Sequence, residues 1–116
     1  MKIWKKDTGN KFSNSDACYG YEYNPGSGKI DIATISIRAR FPEKGWGCLE
    51  ESHEMAVVAE GQGYIEFRNG KRHELSKGDV VYIEPMEWFC WGGNMDMIVP
   101  CGPAFDPSKH KLEEEK

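Results

Sequence analysis

Cys48, Glu50, Glu51, His53 and Glu54 crowd into the stretch CLEESHEMAVVAEG, residues 48–61. A thiol, carboxylates and an imidazole are the donor types that bind divalent metal ions. On a strand, neighbouring residues alternate sides, so His53 projects away from Glu54. The stretch therefore offers two chemistries. Cys48, Glu50 and Glu54 could form a nonstandard three-ligand metal centre, or Glu54 could act alone as a buried general base. Without an ion, two facing carboxylates repel and one keeps its proton. Glu54 could equally be bonded to a neighbouring strand or to Arg38 or Arg40, and Glu50 and Glu51 read otherwise as solvated loop charges. Cys48 as a nucleophile needs a nearby base, which nothing in the order of residues secures, so it reads as a small packing residue.

A second group is aromatic. Trp46, Trp88, Phe89 and Trp91 are costly to leave in water and could wall a pocket for a sugar or other ring-bearing ligand. The competing reading, which the sequence favours, is that they fill the core or cover a subunit interface. The expected ligand contacts are Trp46, Glu50, Tyr82, Phe89, Trp91 and Arg38, the last because an Arg38–Arg40 pair suits an acidic small molecule; ordinary solvated charges are the alternative. Cys90 neighbours Phe89 and should point away from it. His53, His73 and His110 read as exposed.

These residues must be positioned by strands. In IDIATISIRARF (30–41), Ile35, Ile37, Ala39 and Phe41 share one parity, with Ile30 and Ile32 out of phase, which hints at a bulge or an edge. Pro42-Glu43-Lys44-Gly45 ends that strand. Residues 54–60 lead to a turn at Gly61-Gln62-Gly63, then a strand over 64–68. Asn69-Gly70 is the strongest hairpin signal in the chain, returning through 71–75. Ser76–Asp79 turns into Val80–Ile83, which Glu84-Pro85 stops. Two further strands are expected at 88–91 and 95–99. Residues 1–28 are polar and turn-rich, and the tail SKHKLEEEK reads as helical or frayed. Closely spaced short strands joined by hairpins mean an all-β sandwich or barrel.

Composition sets the outer limits. A length of 116 residues allows one domain and one core. A formal net charge of −4, with no basic stripe, argues against nucleic-acid or anionic-membrane partners. No segment is apolar enough for a membrane span or a secretion signal, so a cytoplasmic location is expected. Cys18, Cys48, Cys90 and Cys101 contain no CxxC pair, which argues against a zinc ribbon, and reduced, packed thiols are expected.

The order of parts over roughly 30–107 resembles the cupin superfamily, small barrels of jelly-roll type. The family's first motif is Gly, five residues, His-x-His, three or four residues, Glu, six residues, Gly. Glu54 and Gly61 match its second half, Cys48 and Glu50 stand at His-x-His, and Pro42 stands at the leading Gly. In the second motif, counting from Gly78 puts Glu84 at the Pro, Met86 at the Gly, Phe89 at the His and Gly93 at the Asn, with Asn94 one residue late. Pro42–Gly45, Glu60–Gly63, Ile83–Pro85 and Pro103–Lys111 are similar to turns of a short cupin subgroup, whose ending singles out His110 as a residue that could fold back over the barrel.

The resemblance implies an N-terminal polar segment or dimer strand (1–29), a cupin barrel (30–107) and a C-terminal tail (108–116); sheet edges need covering and short cupins commonly pair through their sheets or N-terminal strands, so a homodimer is expected. A cupin metal centre uses three imidazoles and a carboxylate, and here a thiol, two carboxylates and a phenyl ring stand in their places. The leading expectation is thus a small-molecule binding cupin, for a carbohydrate or polar metabolite, with no cofactor. The alternatives are a cupin-type isomerase, epimerase or dioxygenase using Glu54 or a divalent metal ion on Cys48, Glu50 and Glu54, and a purely structural dimer with a filled barrel.

Overall fold

The computed structural model describes residues 1–113, and they form nine antiparallel strands in one curled sheet. The strands are β1 (Asn10–Ser15), β2 (Cys18–Tyr23), β3 (Asp31–Ile37), β4 (Trp46–Leu49), β5 (His53–Phe67), β6 (Arg72–Ser76), β7 (Val80–Ile83), β8 (Phe89–Gly102) and β9 (His110–Glu113), with a 3-10 turn at Pro107–Lys109 before β9. Two long strands, β5 and β8, pair along most of their length and form the spine. The first half of β5 pairs with β7 and its second half with β6. The second half of β8 pairs with β3, which continues the sheet to β2 and β1. The start of β8 meets β4, and β4 carries β9. The sheet thus folds over itself, and the interior lies between its halves.

The spine changes phase midway. Glu54, Ala56 and Val58 are buried in the first part of β5, whereas Gly63 and Ile65 are buried in the second. A register shift between Val58 and Glu60 against β8 produces that change, as a bulge must when the side-chain period is two. The expected turn at Gly61-Gln62-Gly63 is instead a bend inside β5. Gly61 (φ +83) and Gly93 (φ +96) take left-handed backbone there, and a methyl on Gly63 would run into the Gly92 carbonyl and lie 2.7 Å from Met95 Sδ. For the same reason the two strands expected at 88–91 and 95–99 are one strand, β8.

Other expectations fare unevenly. The Asn69-Gly70 hairpin joins β5 to β6, with Gly70 at φ +92. The register of β3 against both neighbours is unbroken, so Ile30 and Ile32 mark no bulge. They face outward, 55 % and 40 % exposed, while Asp31 and Ile37 are buried. The polar N-terminal segment forms the β1–β2 hairpin and pairs with β3 of its own chain. The tail is neither helical nor frayed over 110–113; it is β9, and residues 114–116 lie outside the described residues. Among the described residues no helix is long and apolar enough to cross a membrane.

Close backbone approach at the bend leaves no room for a side chain at Gly63. Gly63→Ala should lower stability by on the order of 2 kcal/mol, the cost of overpacking a strand crossing. Urea denaturation monitored by tryptophan fluorescence measures it.

Candidate functional site

Alternation and register build one acidic row. Cys101 of β8 pairs with Asp31 of β3 on one side and with Glu54 of β5 on the other. Directly paired residues share a face, so all three point inward, and all three are buried. The Cys101 thiol donates to Glu54 Oε2 at 3.7 Å, a weak bond for a carboxyl so deeply placed. Asp31 accepts from the backbone N–H of Phe105.

The row faces a cavity of about 320 Å³. Phe41, Phe89, Trp91 and Phe105 supply apolar walls, and Phe89 meets Trp91 edge to face with centroids 5.4 Å apart. Phe12 and Asn14 of β1 and Cys18 and Glu22 of β2 close one side. His110 of β9 closes another, its ring against Phe105 with centroids 5.7 Å apart. Gly47 of β4 lies beside that imidazole, and a Cβ there would be in ordinary contact with His110 Nε2, at 3.5 Å. Among the described residues, no lysine or arginine lines the cavity.

Burial without a countercharge sets the protonation states. Desolvation, with Asp31 nearby, pushes the Glu54 carboxyl from its ordinary 4.5 to about 7. Desolvation also raises Asp31, with Glu22 adding to it. Burial alone lowers His110 below its ordinary 6.5, so the imidazole stays neutral. Cys18 is pushed up to about 11, and Cys48, Cys90 and Cys101 are raised as well, all chiefly by burial, which makes them poor nucleophiles.

Of the residues expected from sequence, Glu54, Cys48, Phe89 and Trp91 line this cavity, and Trp46, Glu50, Tyr82 and Arg38 do not. Glu50 is held by Lys111 Nζ at 3.0 Å, an ion pair across β4 and β9. Arg38 binds Asp96 at 2.9 Å, outside the barrel. The Tyr82 hydroxyl lies 2.7 Å from His53 Nδ1 on the outer face. Trp46 is buried beneath the Arg40 guanidinium, 5.1 Å from its ring centroid. Nor is Glu54 bonded to Arg38 or Arg40; those side chains go to Asp96 and to the carbonyls of Pro42 and Gly45. Sequence reasoning missed Asp31, Cys101, Glu22 and Phe105. The inward parity of Asp31 with Ile35 and Ile37 was the available signal for one of them.

The donor set does not suit a metal. Glu50 is turned away from Glu54, and Phe89, which has no donor atom, lines the cavity. Among the described residues no group of three or more His, Cys, Asp or Glu side chains is arranged to hold an ion.

Comparison with known proteins places this geometry in context. A family model described as a cupin domain matches residues 43–99. The nucleoside dehydratase Pac13 from Streptomyces superposes with a TM-score of 0.84 at 16% identity, over 98% of this chain and 92% of that one. Ectoine synthase from P. lautus gives 0.74 at 14% identity, over 100% and 92%. A cupin-like protein from Thermotoga maritima gives 0.72 at 16% identity, over 99% and 90%. At these identities the likeness is one of fold. No curated protein matches the chain in sequence.

Glu54 should govern part of the pH dependence of stability. Its folded value lies above its unfolded one, so its stabilising proton is fully bound below about pH 4.5 and lost as pH rises through about 7. That loss amounts to on the order of 3 kcal/mol. His110 has the opposite sign, losing stability as pH falls, so the difference between wild type and Glu54→Gln isolates the carboxyl. The variant should gain on wild type as pH rises from 5 to 8, as measured by chemical denaturation; an unchanged difference across that range would contradict a buried, unpaired Glu54.

Proposed function

We propose that this chain, whose residues 43–99 match a cupin domain model, is a cupin that binds a small, ring-bearing polar molecule inside the barrel without a metal centre. One observation carries the reading: a single cavity presents aromatic rings on its walls and a buried, hydrogen-bond-poor carboxyl at Glu54. Rings give a flat ligand area and shape; Glu54 and Asp31 give it a polar anchor whose direction is set by the sheet. A buried carboxyl with only a thiol for a partner gains most from a ligand that completes its hydrogen bonds. Among the described residues no lysine or arginine lines the cavity, which disfavours the acidic ligand that Arg38 and Arg40 suggest in the sequence.

A second reading, proton-transfer catalysis, is favoured by a different observation. Glu54 holds a proton up to about pH 7 in the cavity that also holds a neutral His110. An acid and a base with such values in one pocket suit isomerisation or elimination near neutral pH. The resemblance of the barrel to that of a nucleoside dehydratase agrees with this reading without identifying a substrate.

Both readings are open to direct test. In a fluorescence and thermal-shift screen of nucleosides, sugars and small polar metabolites, a ligand should bind equally well after exhaustive chelation. Trp91→Leu, checked for folding by circular dichroism, should weaken that ligand by about tenfold or more. Binding that appears only after metal is added would overturn the metal-free reading. For catalysis, Glu54→Gln and His110→Gln should each reduce turnover by at least about a hundredfold while leaving the ligand bound.

A further inference from the structure

Among the described residues, every ionisable group that lines the cavity with Glu54 is an acid, a thiol or a neutral imidazole. Asp31 comes from β3, Cys101 from β8, Cys18 and Glu22 from β2, Cys48 from β4 and His110 from β9. Glu54 and Asp31 are 9 % and 4 % exposed, so little of either carboxyl's charge is screened by water. A lysine or arginine is the ordinary way to offset buried carboxylates, and none of these side chains lines the cavity among the described residues. Aliphatic side chains share the remaining walls with Phe41, Phe89, Trp91 and Phe105, whose ring faces attract cations and repel anions through their quadrupoles.

We propose that the cavity is a receptor for a small organic cation, an amine or amidine on a flat apolar body, with its nitrogen against Glu54 and Asp31 and its body among Phe41, Phe89, Trp91 and Phe105. The inference deepens the binding function proposed above and rests on it. The ligand supplies the positive charge that the chain withholds from its own interior. It also completes two carboxyls whose protein partners are one thiol, for Glu54, and the backbone N–H groups of Phe105 and Asp31, for Asp31.

The reaction on binding is a proton balance. In the empty cavity Glu54 is protonated near neutral pH. An ammonium or amidinium arriving beside it favours the carboxylate, so the Glu54 O–H proton leaves to the buffer while the ligand keeps its own protons. No bond other than that O–H is broken. The complex is a charge-assisted ion pair in a water-poor site, where such pairs are strong and directional.

The test uses four probes of one size: benzylamine, benzamidine, benzyl alcohol and benzoate. Binding to the full chain is followed at pH 6.5 by tryptophan fluorescence and by calorimetry in two buffers of different ionisation heat. Benzylamine and benzamidine should bind at least about tenfold more tightly than benzyl alcohol, the factor expected of one charge-assisted bond, and benzoate should bind most weakly. The buffer dependence of the heat should show net proton release for the two cations and none for the alcohol. In Glu54→Gln the preference for the amine should shrink and the proton release disappear, while benzyl alcohol still binds.

Benzyl alcohol binding as tightly as benzylamine would overturn the cation inference and leave the small-molecule reading intact. Proton uptake with the cations would overturn it too. Failure of all four probes at millimolar concentration would overturn both.

Discussion

Three neighbouring strands turn Asp31, Cys101 and Glu54 toward a cavity that, among the described residues, no lysine or arginine lines. That constraint organises the molecule. A carboxylate taken out of water without a partner is unfavourable by several kcal/mol, and the cheapest relief is to keep its proton. Glu54 does so, and burial separately keeps His110 neutral in the same cavity.

The fold makes such a cavity by bending its longest strands. Between Val58 and Glu60 the inward parity of β5 changes, and glycines at 61, 63, 92 and 93 let β5 and β8 pass close together through the curve. One half of the interior is then filled by Ile65, Met95, Met97 and Val58, a packed core. The other half is left hollow, because Ala33, Gly47 and the short Cys18, Cys48 and Cys101 side chains occupy positions where larger residues would close it. Phe89 stands there, a ring without a donor atom. The C-terminal return completes the wall. Its strand β9 holds to β4 by backbone pairing and by exposed ion pairs such as Lys111–Glu50, which contribute little individually.

Outside the barrel the same alternation leaves Ile32, Met55, Val80, Tyr82 and Ile98 partly exposed on adjacent strands. The inner acids and the outer apolar residues are therefore two faces of one pairing register. A single-residue slip in β3 or β8 would exchange them, burying Ile32 and exposing Asp31. This is why the site depends on register more than on any one side chain.

The sequence alone determined the all-β class, the Asn69-Gly70 hairpin, the stop at Glu84-Pro85 and the opposite facing of His53 and Glu54. Each depends on residues a few positions apart, where alternation and turn chemistry act locally. Polar β1 and β2 were not legible as strands, since only Phe12 of β1 is even partly shielded and an edge hairpin needs little apolar signal. Gly61-Gln62-Gly63 and Gly92-Gly93 look like turns in isolation, yet as each other's partners they allow a continuous crossing. Only the tertiary structure decided that Asp31, Cys101 and Glu54 share a row, that His110 returns to the cavity, and that Glu50 faces Lys111 instead. Those choices belong to the register between strands distant in the chain, and the free energy that selects a register is that of the whole packed sheet, which no local pattern carries.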